Sequence, residues 1–593
     1  MMPIRFLARW STNSILARNR RGRSSALTEE VFDLMGGQYN PYWGEQDGKI
    51  RNSREREIFE PLFLLNYTLD KKEINWNVGL AYQTGLNKRS RLGYYNAPNP
   101  DPTYYRYLPS YHINSSIGAD FINANLAEEA FLESPQLNWE QLYTANANNG
   151  EKAAYLIYDD VAQNTTISGA TSLNYTWSDF IKLGFGGNFR TTTSENYAEI
   201  QDLLGAIYHE DMDTFSSTLN DLNGELQKSE GEKFNYHYNL EASQMEGFAQ
   251  VKLTSNKWDG FVSASYSSFN VQRDGLFKNE RYLENSLGKG EKISFSNLSY
   301  KGGFTYFLTG RHWFTANAAM VEQPPIIQNI FINPRENNQV VPELQKEVVS
   351  SIDLSYFVRL PSLTGRISAF YTRFQHTTDI NFFFVDSGLG SDFVQEVITG
   401  LDRLHKGIEF GFEYEASSSV KLTAAGNVGH YVYASDPSVQ INFETALALG
   451  VSYRAPKYWW ISGTTNYLTN NYSNLSTITR TSSFLIDPDT GEPFPDASKE
   501  NVSKLLRQSK LDDIYLLNLV GGKSWLIDGK YISFFASVNN VFDAVFRTGG
   551  YEQSRNGNFG QLKQDNLSGS PSFAPKYWYS YGRTYFLNLA ISF

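Results

Sequence analysis

The sequence predicts an all-β protein, a transmembrane antiparallel β-barrel. Three observations carry that reading: many aromatic residues in a chain that is polar on average, alternating segments joined by short turns, and a final alternating segment ending at Phe593. Aromatic residues make up 15% of the chain, although only 41% of residues are apolar and mean hydropathy is -0.42. A soluble domain would hide so many rings in a core. A barrel turns them toward lipid and gathers them in girdles at the two interfaces. No stretch has the roughly 18 consecutive apolar residues of a spanning helix, so strands must make any crossing. The absence of cysteine excludes a disulfide framework and a thiolate metal site. A net charge of -11 argues against nucleic acid as a partner.

The first clear strand pair runs from about Phe63 to Leu69 and from Ile74 to Thr84, joined by Asp70 to Glu73. In its second member Ile74, Trp76, Val78, Leu80 and Tyr82 share one face, and Asn75, Asn77, Gly79, Ala81 and Gln83 share the other. The same phase recurs in Leu173, Tyr175 and Trp177, which turn at Ser178 and Asp179 into Ile181, Leu183 and Phe185. Lys182 and Arg190 then face a water-filled lumen. Later pairs are expected around Ser255 to Asp259, Gly310 to His312, Leu360 to Thr364, Ser417 to Ser419, Ala455 to Tyr458 and Asp528 to Lys530. Ile408, Phe410, Phe412 and Tyr414 alternate with Glu409, Gly411 and Glu413, and a lumen accepts those carboxylates where a packed core would not. Pro456 to Trp460 read as a periplasmic aromatic girdle. Residues 1–58 read as an N-terminal segment and extracellular loop, and 59–593 as the barrel. The count is about 17 strands, an odd number that points to a partial barrel of a probable 22, although a weak strand within Pro3 to Ile15 would change the count by one. The Arg-rich segment Met1 to Arg23 lacks the apolar run of a signal peptide, so the sequence is expected to be a mature form or to begin inside a longer gene.

The pairs are separated by long connections of about 85 residues after Thr84, about 50 after Thr193 and about 40 after both Leu468 and Asp543; such lengths are usually functional. They are expected to be extracellular. Within them Ile200, Leu203, Leu204 and Ile207 fall at helical spacing, which predicts a helix over Ala198 to Phe215 with Glu210, Asp211 and Asp213 at its solvated end. Tyr42, Trp43, Tyr104, Tyr105, Tyr107 and Tyr111 are the candidate ligand contacts, the alternative being that these rings pack the loops together. The seven His residues lack zinc spacing, and no phosphate-binding loop or nucleophile elbow is present. The expectation is no metal, no cofactor and no enzymatic activity.

Several segments in order carry a resemblance: Tyr39-Asn-Pro-Tyr-Trp-Gly44, Arg51-Asn-Ser53, Asp202-Leu-Leu-Gly205, Tyr300-Lys-Gly-Gly303, Lys406-Gly-Ile-Glu409, Gly522-Lys-Ser-Trp525, Val538-Asn-Asn-Val-Phe-Asp543 and Tyr581-Gly-Arg-Thr-Tyr-Phe586. With them the chain resembles the barrel region of TonB-dependent outer-membrane receptors, in the subfamily that carries a carboxypeptidase-regulatory-like domain ahead of its plug. The resemblance implies an integral protein of the Gram-negative outer membrane. It implies uptake of a scarce solute, whether siderophore, vitamin, oligosaccharide or peptide, with TonB engaged through a plug that is not found in this sequence. It also implies that Tyr585, Leu587, Leu589, Ile591 and Phe593 form the signal read by the barrel-assembly machinery. Two other readings use the same features. A passive porin-like or surface-binding barrel would lack a plug in its gene, and a soluble β-rich binding protein would partition into the aqueous phase.

Overall fold

The computed structural model describes residues 5–17, 25–115, 117–386, 391–435, 439, 441 and 445–592, with backbone alone at 5–17, 386 and 391–392. Its main sheet has nineteen strands, one of them the two-residue Gly288–Lys289 and the rest long. In chain order the long strands are β1 (Arg5–Ala17), β2 (Arg56–Asp70), β3 (Ile74–Tyr94), β4 (Tyr155–Thr176), β5 (Ile181–Asp202), β6 (Lys233–Thr254), β7 (Trp258–Gly275), β8 (Ile293–Thr309) and β9 (His312–Gln323). They continue as β10 (Glu347–Arg359), β11 (Leu363–Asp386), β12 (Ser391–Glu415), β13 (Val420–Tyr433), β14 (Thr445–Arg454), β15 (Trp459–Thr469), β16 (Ile514–Ile527), β17 (Lys530–Asn539) and β18 (Thr584–Ser592). Each is antiparallel to the next, from Arg5 opposite Thr68 in the first ladder to Tyr531 opposite Ser592 in the last. Short turns and long loops alternate, which leaves the turns at one end and the loops at the other.

The alternation read from sequence sets the two faces. Trp76, Leu80, Tyr82, Phe185, Met245, Tyr266, Ile352, Leu449 and Val451 project from the sheet as exposed apolar side chains. In water these would be a liability; around a barrel they form the lipid-facing band. The other face is polar. Glu409 sits beside Arg366 at 3.5 Å, and Asn317 donates to Asp353 at 3.0 Å. Seven of the 11 tryptophans, at 76, 177, 258, 313, 459, 460 and 525, lie at or within a few residues of the short turns. Indole prefers the boundary between hydrocarbon and water, so this end is one membrane interface.

Three expectations are corrected. Strand β1 overlaps the Pro3 to Ile15 region, ahead of the expected start near Phe63, so the long strands among the described residues are even in number and the argument from an odd count falls. Its sequence, Arg5-Phe-Leu-Ala-Arg-Trp-Ser-Thr-Asn-Ser-Ile-Leu-Ala17, mixes polar and apolar residues at both phases and hides the period. Strand β3 extends to Tyr94 rather than stopping at Thr84, which shortens the first great loop. Ala198 to Phe215 is not a helix. Strand β5 runs through Asp202 with hydrogen-bonded neighbours on both sides, and Leu204 and Gly205 then take φ of 50° and 85°. A residue such as Leu204 at positive φ breaks a right-handed helix. The i, i+3, i+4 spacing arises because a strand end and a turn bury all three residues, Ile200 and Leu203 in one cluster and Leu204 in the neighbouring one with Trp139.

The buried apolar clusters of the described residues lie at the loop end. Leu27, Val31, Tyr39, Phe131, Leu511 and Tyr577 form one, and Leu156, Ala198, Ile200, Leu203 and Phe234 another. The loop after β3 folds through α1 (Pro109–Ile113), α2 (Phe121–Glu133) and α3 (Trp139–Ala147). Asp120 caps α2 by accepting from Asn123 N, and Asn138 caps α3 by accepting from Gln141 N.

Candidate functional site

Segments that are far apart in the sequence fasten the loops above the barrel. Arg51 reaches Asp202 at 2.5 Å, donates to Gln46 Oε1 at 2.9 Å and to Tyr143 Oη at 3.2 Å, and stacks over Trp139 at 4.3 Å. The other carboxylate oxygen of Asp202 accepts from Leu204 N, making the turn that ends β5. The Arg51 and Asp202 segments quoted above are thus one clasp. Asn146 completes it. Its amide donates to the carbonyls of Tyr155, Leu203 and Leu204, while its oxygen accepts from Ala154 N and Tyr155 N. At Gly44 an added Cβ would stand 1.8 Å from the Leu137 carbonyl oxygen, so only glycine lets the Trp43–Gln46 strand approach that backbone. Near the chain's end, Asp543 Oδ1 accepts from Arg583 N at 2.6 Å, which joins the last two quoted segments.

The same loops also form a half-open cavity of about 830 Å³. Its wall comes from the loops after β3, β5 and β17, from the tip of the β11–β12 hairpin, and from the start of β6. Rings dominate it. Phe215, Phe384 and Phe393 pack at 4.8 to 5.7 Å, and Tyr104, Tyr105 and Phe573 form a second group with Tyr105 and Phe573 at 4.6 Å. Between the groups lies Arg555, its guanidinium 3.9 Å from the Phe384 centroid and 5.3 Å from that of Tyr105. The buried Arg555 Nε has no hydrogen-bond partner among the described residues. Lys576 also lines the cavity, and burial pushes its ammonium below the usual lysine value, with Asp101 acting in the opposite sense. One oxygen of each wall carboxylate is occupied. Asp101 Oδ1 accepts from Thr103 N and Oγ1, and Asp213 Oδ1 from Phe215 N, Ser216 N and Ser216 Oγ.

Of the six candidate contacts, Tyr104 and Tyr105 line this cavity. Tyr107 lines a smaller one of about 420 Å³ with Arg106, His112 and Phe131. Tyr111 packs edge-on against Tyr105 at 5.5 Å. Tyr42 lies under Arg54 at 3.4 Å, where burial pushes its phenol up to about 12, and Trp43 belongs to the two-stranded Trp43–Gln46/Lys49–Asn52 unit. Sequence reasoning missed Arg555, Lys576 and Phe384. The first two stand in a loop that reads as amide- and glycine-rich, where nothing marks one cation above another, and Phe384 reads as an ordinary strand residue. Asp211, expected at a solvated helix end, is instead buried, its Oδ1 accepting from Asn220 Nδ2 and Asn235 N. Tyr585, Leu587, Leu589 and Ile591 share the exposed outer face of β18, and Phe593 lies outside the described residues.

No family model and no curated protein matches the sequence. Solved structures share the fold. The copper transporter OprC is 12% identical with a TM-score of 0.55, over 91% of this chain and 67% of that one. The ferric citrate transporter FecA in its unliganded form is 9% identical with a TM-score of 0.57, over 96% and 65%. The siderophore receptor PiuA from Acinetobacter baumannii is 10% identical with a TM-score of 0.55, over 99% and 71%. The chain therefore spans roughly two thirds of the length of these neighbours. Its fold is that of outer-membrane β-barrel receptors, as the resemblance to TonB-dependent receptors implied.

Proposed function

We propose that this chain serves as the barrel of a TonB-dependent receptor in the Gram-negative outer membrane, taking up a scarce solute captured by its extracellular loops. The observation that carries the reading is the loop platform: long loops, fastened to one another through Arg51, Asp202 and Asn146, form a ring-lined cavity at the loop end of the barrel. A passive pore gains nothing from a built chamber at its mouth, whereas a receptor for a dilute solute needs one. Siderophores, vitamins, oligosaccharides and peptides remain the solute classes. TonB would be engaged through a plug domain, and Tyr585, Leu587, Leu589, Ile591 and Phe593 would be read by the assembly machinery.

The test is accumulation in cells. The native gene product is expressed in a Gram-negative host with and without TonB. Uptake from a defined mixture of ferric chelates, cobalamin, oligosaccharides and peptides is then followed by mass spectrometry. Accumulation of one class that disappears without TonB is expected. Equal accumulation in both hosts would favour the passive pore and overturn energised import.

A further inference from the structure

The charge around the cavity is more even than that of the chain. The protein carries 63 acidic and 52 basic residues, whereas the chamber wall sets two cations, Arg555 and Lys576, against two carboxylates, Asp101 and Asp213. Arg555 and Lys576 line it and form no ion pair among the described residues. Arg54, stacked on Tyr42, lies within electrostatic reach of Lys576. Close by, Arg91 and Arg335 share the single carboxylate of Asp160 at 3.4 and 3.3 Å, and Arg335 also lies over the Tyr236 ring at 4.5 Å. The wall acids Asp101 and Asp213 each accept from their own loops through Oδ1, Asp101 also acts on Lys576, and neither forms an ion pair with Arg555.

We infer that the cavity binds an anionic solute bearing a planar aromatic group, its carboxylate or phosphate meeting Arg555 and Lys576 and its ring lying among Tyr105, Phe384 and Phe573. The guanidinium between Phe384 and Tyr105 is held by ring faces alone, which leaves its N–H edge for an acceptor, and charge-assisted hydrogen bonds are the strong ones. A cation removed from water without a counter-ion is costly, and a bound anion removes that cost. A volume of about 830 Å³ suits one compact solute rather than a polymer. The inference deepens the receptor reading by naming a solute class, and it rests on that reading only for the claim that bound solute is then imported.

The test uses the full chain purified in detergent, with 2-naphthoate, its neutral isostere 2-naphthamide, cyclohexanecarboxylate and maltose as probes. Binding is read by calorimetry and by naphthoate fluorescence. The naphthoate is expected to bind at least tenfold more tightly than either the amide or the non-aromatic acid, and to weaken as salt is raised. Arg555→Gln and Lys576→Met should each weaken it about tenfold, while β-sheet circular dichroism and heat-modifiable migration stay unchanged. Arg366→Gln, on the lumen wall below, should leave binding alone. Equal binding of amide and acid, preference for maltose, full affinity in both cavity variants, or no probe binding at millimolar concentration would each overturn the inference. Anion binding without TonB-dependent uptake would instead remove the import reading and leave this one standing. Uptake of a neutral solute with no naphthoate binding would do the reverse.

Discussion

At the scale of single residues, the loop platform carries a titratable group whose behaviour follows from where it sits. His209 is buried between Tyr95, centroids 4.3 Å apart, and Phe234. Burial, followed by the nearby Lys152, pushes its imidazole from 6.5 down to about 4. The fold therefore holds His209 neutral, while an opened loop would titrate near 6.5. Between those values the open loop binds more protons, so the stabilisation is fully present above about pH 6.5 and is lost as pH falls toward 4. Asp211, whose carboxyl is pushed up by its own burial, works in the opposite direction and has to be separated from it. The comparison that does so is His209→Phe, which keeps the ring contacts and cannot titrate. Hydrogen exchange of the loop amides between Leu203 and Phe234, corrected for intrinsic rate, should speed up more in the native protein than in the variant as pH drops from 7 to 4.5. Parallel profiles would show that His209 is not the sensitive group.

At the scale of elements, a β-strand announces itself by period two, and that signal survives wherever one face meets lipid and the other meets the lumen. Strands β12 and β14 were legible for that reason: Ile408 and Leu449 are exposed outward while Glu409 faces Arg366 and Asn427. The consequence is an asymmetry between faces. Leu449→Arg puts a charge against hydrocarbon near the middle of β14 and should cost about 2–4 kcal/mol. Glu409→Gln removes one end of a half-exposed ion pair and should cost less than about 1 kcal/mol. Urea titration of the barrel in vesicles, read from the heat-modifiable folded band, compares the two directly; equal costs would contradict the assignment of faces. Legibility ended where strands outgrow the membrane. Above it both faces of β5 meet protein, the alternation loses its meaning, and the Ile200, Leu203, Leu204 spacing mimics a helix. The cavity was half legible for a related reason. Tyr104 and Tyr105 stand in a dense aromatic run, but Arg555 and Lys576 acquire their role only when the last loop folds across the first.

At the scale of the whole molecule, the sorting of side chains between two ends fixes how the barrel sits in a bilayer. Seven tryptophans gather at the short-turn end, whereas Trp43, Trp139 and Trp578 belong to the loop platform at the other. Trp139 is fully buried within that platform, and Trp578 lies on the Lys576–Tyr579 strand above the barrel. An indole at a membrane interface keeps its ring at headgroup depth, and a loop indole lies beyond reach of lipid. The exposed belt of Leu449, Val451, Ile352 and Met320 lies between the two ends and occupies the hydrocarbon. In vesicles containing spin-labelled lipids, tryptophan fluorescence should therefore be quenched most by a label near the headgroup and less by one deep in the acyl chains. A fraction belonging to the platform should remain unquenched by either. Replacing Trp459 and Trp460 by Phe should reduce the shallow quenching, and replacing Trp139 should reduce only the unquenched fraction. Strongest quenching by the deep label would place the short-turn end inside the bilayer and shift the membrane position along every strand. Uniform insensitivity to both labels would mean that the apolar belt is covered by something other than lipid.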